Sequence, residues 1–267
     1  MALSDMRALQ EEGHGESHDY VHGSPHLKHP ELRSWITERI LATVRASVPP
    51  GTRPRVLEVG AGHGSLTEHL LEAGAQVVVT EMSGPSTDIL RARFAATDVV
   101  VVHDPDGDVP VEGDFDVVVY LSVLHHIPDY LAAVESVIGR LRPGGAFVSF
   151  QDPLWYPRLR RRSRLAARGV YLAWRLGQGE FRRGLGTVAR RLRGVYDDTH
   201  PSDMIEYHVM RQGVDERALR DLLAPHFTSV EILPYFSTQS RAGQRLGRRA
   251  IAPNTFGLVA AGRTDLR

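Results

Sequence analysis

Val56-Leu57-Glu58-Val59-Gly60-Ala61-Gly62-His63-Gly64-Ser65 is the stretch whose reading decides the fold. A short apolar run, read as a strand, passes into a turn with a glycine at every second position. A helix is expected to open at Ser65, whose hydroxyl can cap it, with Glu68 three residues on completing a capping box. Glycine permits positive φ and lets a ligand approach the backbone where a side chain would block it. The helix start behind the turn offers free N–H groups and a positive dipole end to a carboxylate or phosphate. The unit is therefore a strand, a turn and a helix built to cradle a nucleotide-type cofactor.

Spacing separates the cofactors. A dinucleotide fingerprint, G-x-G-x-x-G, would need glycine where Ser65 stands if counted from Gly60, and where Thr67 stands if counted from Gly62. A P-loop is excluded, because no Gly-Lys-Ser/Thr follows and Lys28 is the chain's only lysine. Glu58-x-Gly60-x-Gly62-x-Gly64 instead resembles the first motif of the class I S-adenosylmethionine (SAM)-dependent methyltransferases. The resemblance implies SAM as cofactor and S-adenosyl-L-homocysteine (SAH) as product. It places Glu58 near the methionine end of SAM, with Gly60, Gly62 and Gly64 making room for the cofactor.

Composition bounds the rest. A chain of 267 residues, 42% apolar, suits one large α/β domain with an appended lid and is too apolar for a disordered protein. No run of about 18 apolar residues and no signal-like N-terminus is present, so the expectation is a cytoplasmic protein without a membrane span. Cysteine is absent. That removes disulfides, thiolate metal sites and cysteine nucleophiles, and with them cytosine C5 methylation through a cysteine adduct. Lys plus Arg and Asp plus Glu both number 32, so no global field points to nucleic acid.

Four sections follow in order. Residues 1–50 form a tail and a cap helix, 51–152 the cofactor-binding core, 153–213 an arginine-rich lid and acceptor-pocket segment, and 214–267 the end of the core. In the tail, His14, His18, His22, His26 and His29 follow no ligand spacing, and no metal site is expected. In many small-molecule methyltransferases a segment in this position folds over SAM. Tyr20 is accordingly a candidate cofactor contact, against ordinary packing in a solvated tail. From Glu31 to Val48, Leu32, Trp35, Ile36, Ile40, Leu41 and Val44 recur at helical steps, and Pro49-Pro50-Gly51 ends the helix.

Alternating strands and helices then predict a doubly wound, mostly parallel, seven-stranded sheet with helices on both faces. Arg55–Val59, Gln76–Thr80, Asp98–Val102, Phe115–Tyr120 and Ala146–Phe150 are the first five strands. Their helices run from Ser65 to about Ala73, from about Pro85 to Ala95, and from Pro128 with Leu131, Val134, Val137 and Ile138 inward. The valine run of strand three reads as buried on both faces. Asp215–Ala224 is the last helix. Thr228–Phe236 and Asn254–Ala261 are strand six and the antiparallel strand seven, with Arg241–Ala252 their loop.

The second cofactor signal is Glu81-Met82, at the carboxyl end of strand two. In a doubly wound sheet that end lies beside the first glycine loop, where a carboxylate can accept from both ribose hydroxyls and an apolar neighbour can flank adenine. The methyltransferase resemblance adds Asp104, with Asp106 second, as acceptor for the adenine amino group. Leu121-Ser122-Val123-Leu124-His125-His126-Ile127-Pro128-Asp129 resembles the fourth motif of small-molecule methyltransferases, with Ser122 on the cofactor side. It lacks the Asn/Asp-Pro-Pro-Tyr of enzymes that methylate nucleic-acid amino groups, and the Asp of metal-dependent catechol-type enzymes.

A sulfonium methyl is already electrophilic, so the protein's task is alignment and, for a hydroxyl acceptor, removal of a proton. Histidine is matched to neutral pH. His125 is the preferred base, with His126 packing or capping because neighbouring helical residues face apart. Asp152, at the end of strand five, orients the histidine or holds the acceptor. Residues 154–196 carry twelve arginines interleaved with Trp155, Tyr156, Leu159, Val170, Tyr171, Trp174 and Leu176. They read as two amphipathic helices of a lid, with RNA and a membrane-surface or partner helix as alternatives. Behind them, His200, Glu206, Tyr207, His208 and Arg211 read as a wall of the acceptor pocket. The favoured function is methyl transfer to a small-molecule acceptor, most readily at oxygen, in secondary metabolism. RNA or protein methylation, a nicotinamide oxidoreductase and a SAM-binding scaffold without methyl transfer stand as alternatives.

Overall fold

The computed structural model describes residues 24–159 and 213–264. Strand β1 (Arg55–Val59) lies between β2 (Gln76–Glu81) and β4 (Phe115–Leu121), all parallel. β3 (Val100–His103) pairs outside β2, and β5 (Leu141–Pro153) outside β4. β7 (Thr255–Arg263) runs antiparallel between β5 and β6 (Phe227–Tyr235), giving the order β3-β2-β1-β4-β5-β7-β6. The expected seven-stranded α/β sheet is present. The chain leaves β3 at one edge and re-enters as β4 beside β1, so the winding direction reverses between β1 and β4. In such sheets the crevice at that reversal, beyond the carboxyl ends of the strands, is where ligands bind.

Strand alternation divides the core in two. Leu57, Val59, Val118, Tyr120 and Phe147 point to one face, under helices α5 (Tyr130–Ile138) and α6 (Glu216–Leu223). Val56, Val77, Val79, Val117, Val119, Val148 and Phe150 point to the other, under α2 (Pro30–Ala46), α3 (Ser65–Glu72) and α4 (Gly84–Arg93). In α2 the buried stripe is Leu32, Ile36, Ile40 and Val44. Trp35 sits beside that stripe and packs edge-on against Phe150 and Tyr235, at 5.7 and 5.0 Å between ring centroids. The cap helix is thereby fixed to the ends of β5 and β6. A single turn, α1 (Pro25–Lys28), precedes it.

Local differences from the sequence expectations have physical causes. No capping box forms on α3. Gly64 is the N-cap residue, left-handed at φ 79, and Ser65 is already helical. Glu68 pairs instead with Arg93 on α4, at 2.6 Å. β3 is an edge strand rather than a doubly buried one, with Val100 51% exposed. Asp129, not Pro128, caps α5, accepting from the Ala132 N–H at 3.1 Å. The expected loop at 241–252 is largely helix α7 (Arg241–Ala250), capped by the Ser240 hydroxyl. Among the side chains described in it, the buried positions are Gln244, which bonds the Phe236 carbonyl and the Thr238 N–H, and Gly247, where a side chain would overlap the Phe236 ring.

The chain on either side of residues 160–212 is joined at one neck. Leu154 bridges Val214 in parallel, and the Val214 N–H donates to the Pro153 carbonyl at 2.9 Å. Arg158 forks onto Asp215 and also reaches Glu216. Its hydrogen bonds to Asp215 hold the guanidinium's proton affinity above the ordinary value. Burial alone raises the Asp215 carboxyl, but Arg158 and the amides of Ala218 and Arg217 outweigh it and hold it low. The helices expected over 154–196, and the pocket candidates His200, Glu206, Tyr207, His208 and Arg211, fall outside the described residues apart from 154–159. No helix among the described residues is long and apolar enough to cross a membrane.

Candidate active site

The glycine loop after β1 and the segment after β4 meet across the crevice. Gly60 (φ 69) and Gly62 (φ 57) take left-handed backbone, which glycine adopts without strain. A Cβ on Gly60 would lie 2.8 Å from a Val123 methyl, so the loop rests directly on the β4 exit. Gly64 has a different reason. A Cβ there would meet the Phe94 ring and, at 2.9 Å, Leu90, so this glycine seats α3 against α4.

Two acids stand behind the loop. Glu58 is 2% exposed and accepts from the Thr67 hydroxyl at 2.7 Å, tying β1 to α3. Burial pushes its carboxyl up to about 8, against the Thr67 hydrogen bond and with some help from Glu81. Glu81 ends β2 and bridges two loops, one oxygen accepting from the Gly62 N–H at 2.8 Å and the other from the Ser83 N–H at 3.0 Å. Burial raises it too, opposed by the amides of Ser83, Gly62 and Met82 and by His103. A carboxylate has four lone pairs, so Glu81 keeps acceptor capacity for a further donor. Met82 is half-buried beside it, near the turn at Gly107.

Asp104 lies just past β3. It is buried, and its two oxygens accept from the Asp108 and Val109 N–H groups, both at 3.0 Å. Those bonds shape the turn and leave a lone pair on each oxygen. Tyr20 lies outside the described residues.

The other half of the site comes from β4 and β5. Ser122 is left-handed at φ 64, and its N–H donates to the Phe150 carbonyl at 2.8 Å. A single turn, Leu124–His126, then carries both histidines. Asp152 is fully buried, and one of its oxygens accepts from both His125 Nδ1, at 2.8 Å, and the His125 N–H, at 3.2 Å. Its other oxygen accepts from the Ser149 hydroxyl at 2.7 Å. A carboxylate only accepts, so Nδ1 carries the imidazole proton and Nε2 is the basic nitrogen. His126 does not face away: the two rings lie 4.0 Å apart, because the turn is too tight to separate them.

A bulge makes this arrangement possible. Residues three apart on a regular strand point to opposite faces, so Ser149 could not reach Asp152. Between Phe150 and Asp152 the pairing with β7 skips Gln151, which is left-handed at φ 69. The extra residue returns Asp152 to the side of Ser149, as bulges beside active sites do. Gln151 is itself locked in place. Its N–H donates to the Tyr235 hydroxyl at 2.9 Å, that hydroxyl donates to its side-chain oxygen at 3.1 Å, and its amide donates to Ser237 at 2.8 Å.

Ser149, Gln151 and Tyr235 were not singled out by sequence reasoning. The available signal was Ser149, a hydroxyl inside the apolar run Phe147–Phe150. Among the described residues no three His, Cys, Asp or Glu side chains gather as a metal site.

Residues 57–147 match a family model described as a methyltransferase domain. A ubiquinone biosynthesis O-methyltransferase of Xanthomonas campestris pv. campestris is 34% identical over 102 residues, 36% of this chain and 41% of the relative. Another with the same name, from Bordetella bronchiseptica, is 36% identical over 98 residues, 34% of this chain and 39% of the relative. The chain thus spans about two-fifths of the length of these curated relatives. Among solved structures, the N-methyltransferase NodS from Bradyrhizobium japonicum, in complex with SAH, superposes with a TM-score of 0.52. That match covers 97% of this chain and 98% of NodS at 15% identity, a likeness of fold. The residues present fit SAM. The left-handed glycines leave the loop backbone open, and Glu81 stands over Gly62 with acceptor capacity to spare.

Proposed function

We propose, on the premise that this chain belongs to the class I SAM-dependent methyltransferases, that it methylates an oxygen atom of a small-molecule acceptor. Gly60, Gly62, Glu81, Met82 and Ser122 hold the cofactor, with Glu58 supporting the loop from behind. SAM, when bound, supplies a methyl group already activated by its sulfonium. His125 Nε2 receives the acceptor's hydroxyl proton. Asp152 holds His125 in the required tautomer and stabilises the charge the ring acquires. Ser149 fixes Asp152.

One observation carries the reading: a histidine locked by a buried carboxylate at 2.8 Å, at the ends of β4 and β5, beside the glycine loop. A base of this kind serves a hydroxyl acceptor, whereas an amine already offers a lone pair. The relatives' own name, O-methyltransferase, points the same way. Calorimetry with SAH, followed by a labelled-SAM screen of phenolic, sugar and polyketide acceptors, tests it. His125→Ala should bind SAH as the parent does and lose turnover by about 10²–10⁴. Normal turnover in that variant removes the base assignment. Absent SAH binding removes the whole reading.

A further inference from the structure

We propose that His26 is a binding residue for the acceptor, pairing its buried Nδ1 with a second polar group of the molecule methylated beside His125. The site would accordingly select acceptors that carry two hydrogen-bonding groups. This rests on the reading of the His125 side of the crevice as the acceptor end.

Three observations carry it. His26 is the buried residue of the α1 turn, 6% exposed, and its Nδ1 is sealed from solvent with no hydrogen-bond partner. Buried polar atoms are paired in the great majority of cases, and an orphan marks a missing partner. Next, α1 is held at this place. The His29 ring bonds the Thr238 carbonyl at 2.7 Å, anchoring the turn to the chain between β6 and α7. Finally, Ser237, the neighbour of the Thr238 that anchors α1, accepts from the Gln151 amide, and Gln151 adjoins the Asp152 that holds His125, so α1 is tied to the His125 side of the crevice. Burial, and secondarily the charge of His125, lower His26 to about 3, so at neutral pH it is a neutral hydrogen-bonding ring. A neutral imidazole beside the base offers no ion pair. It offers one directional hydrogen bond, which suits a hydroxyl, carbonyl or amine next to the methylated oxygen.

The experiment uses the full chain, labelled with ¹³C and ¹⁵N at histidine and saturated with SAH. Ring-nitrogen spectra follow titrations with phenol and cyclohexanol, which carry one polar group, and with salicylate and ortho-aminophenol, which carry two. The two-group compounds should bind about tenfold tighter, the scale of one hydrogen bond, and should shift the His26 ring together with that of His125. In His26→Phe the preference should vanish, and His26→Gln should restore part of it. If His26→Phe does not fold, His26→Gln and the parent spectra still decide. Equal affinities in the parent, a preference that survives His26→Phe, a silent His26 ring under a moving His125 ring, or no compound moving either ring would overturn the proposal. SAH binding separates the two readings. Its loss sinks the methyltransferase assignment itself, whereas retained binding with a silent His26 sinks only this one.

Discussion

Asp152→Asn is the substitution that asks most of the site. The carboxylate is fully buried and accepts three hydrogen bonds, two from His125 on one oxygen and one from Ser149 on the other. Asparagine can copy that geometry. Its carbonyl can face His125 and keep both of those bonds, while its amide donates to Ser149, whose hydroxyl turns to accept and gives up its own acceptor. The main loss is the charge. When His125 takes a proton, it and Asp152 form an ion pair, and at roughly 4 Å with an effective dielectric of about 20 that attraction is about 4 kcal/mol. Removing it should lower kcat by roughly 10²–10³, since each 1.36 kcal/mol is about tenfold. Ser149→Ala removes one hydrogen bond and keeps the charge, so a fall of about three- to tenfold is expected. The assay is initial rate with labelled SAM at saturating acceptor, alongside calorimetry with SAH, where the affinity of both variants should stay within about twofold of the parent. An Asp152→Asn protein that binds SAH normally and keeps a third or more of the parental kcat would refute the base reading.

Further expectations follow from the acids and glycines. Glu58 rises from its ordinary 4.5 to about 8 in the folded chain. The folded state therefore keeps a proton that the unfolded chain releases across that window, and stability falls as pH rises through it. Urea unfolding at pH 6 and pH 8 should show this loss, and Glu58→Gln, which keeps the Thr67 hydrogen bond, should flatten it; an equal slope in both proteins refutes the burial effect. Glu81→Gln leaves one backbone N–H facing an amide NH₂ and removes an acceptor for the cofactor. SAH affinity should drop about 30-fold, from a cost of about 2 kcal/mol, and an unchanged Kd would count against the ribose role. Gly64→Ala combines left-handed strain with overlap on Phe94 and Leu90. A loss of about 3 kcal/mol and on the order of 10 °C in Tm is expected, whereas an unshifted Tm would mean that α4 yields freely.

What could be read in the sequence divides along a physical line. β1, β2 and β4 are apolar runs beside turn residues, and α2 carries its stripe at helical spacing. Elements of that kind announce themselves because burial alone selects their residues. α7 did not, since the buried positions described in it are Gln244 and Gly247, a hydrogen bond and a missing side chain rather than a stripe. β3 announced the wrong environment. Val99 to Val102 reads as a core strand, but which strand lies at the edge depends on the order of pairing, and composition does not encode that order. The site divides in the same way. Glu58, the glycines, Glu81, His125 and Asp152 stand at strand ends, where the topology of a doubly wound sheet delivers them to one crevice. Asp104 stands there too, and the amides of Asp108 and Val109 each take one lone pair of its oxygens, a second use of the carboxylate that no motif reveals.

The residues that hold the base in place were hidden for a reason that concerns mechanism. Ser149 and Asp152 have the wrong parity to meet on any regular strand, so strand periodicity itself argued against pairing them. Their contact depends on one extra residue, Gln151, in left-handed backbone, a conformation that disfavours glutamine by about 1–2 kcal/mol. The Tyr235 hydroxyl and Ser237 hold that residue in place from β6 and the chain after it. Tyr235 is in turn packed by Trp35 of the cap helix. The geometry of His125, the proposed base, is thus set by a chain of contacts that begins at α2, far from it in sequence. On that proposal the cap helix serves the chemistry as well as the packing. Trp35→Ala, which leaves every polar group of the site intact, should therefore loosen the Gln151 bulge and lower kcat more than it weakens SAH binding. Parallel losses in kcat and SAH affinity would instead assign Trp35 to stability alone.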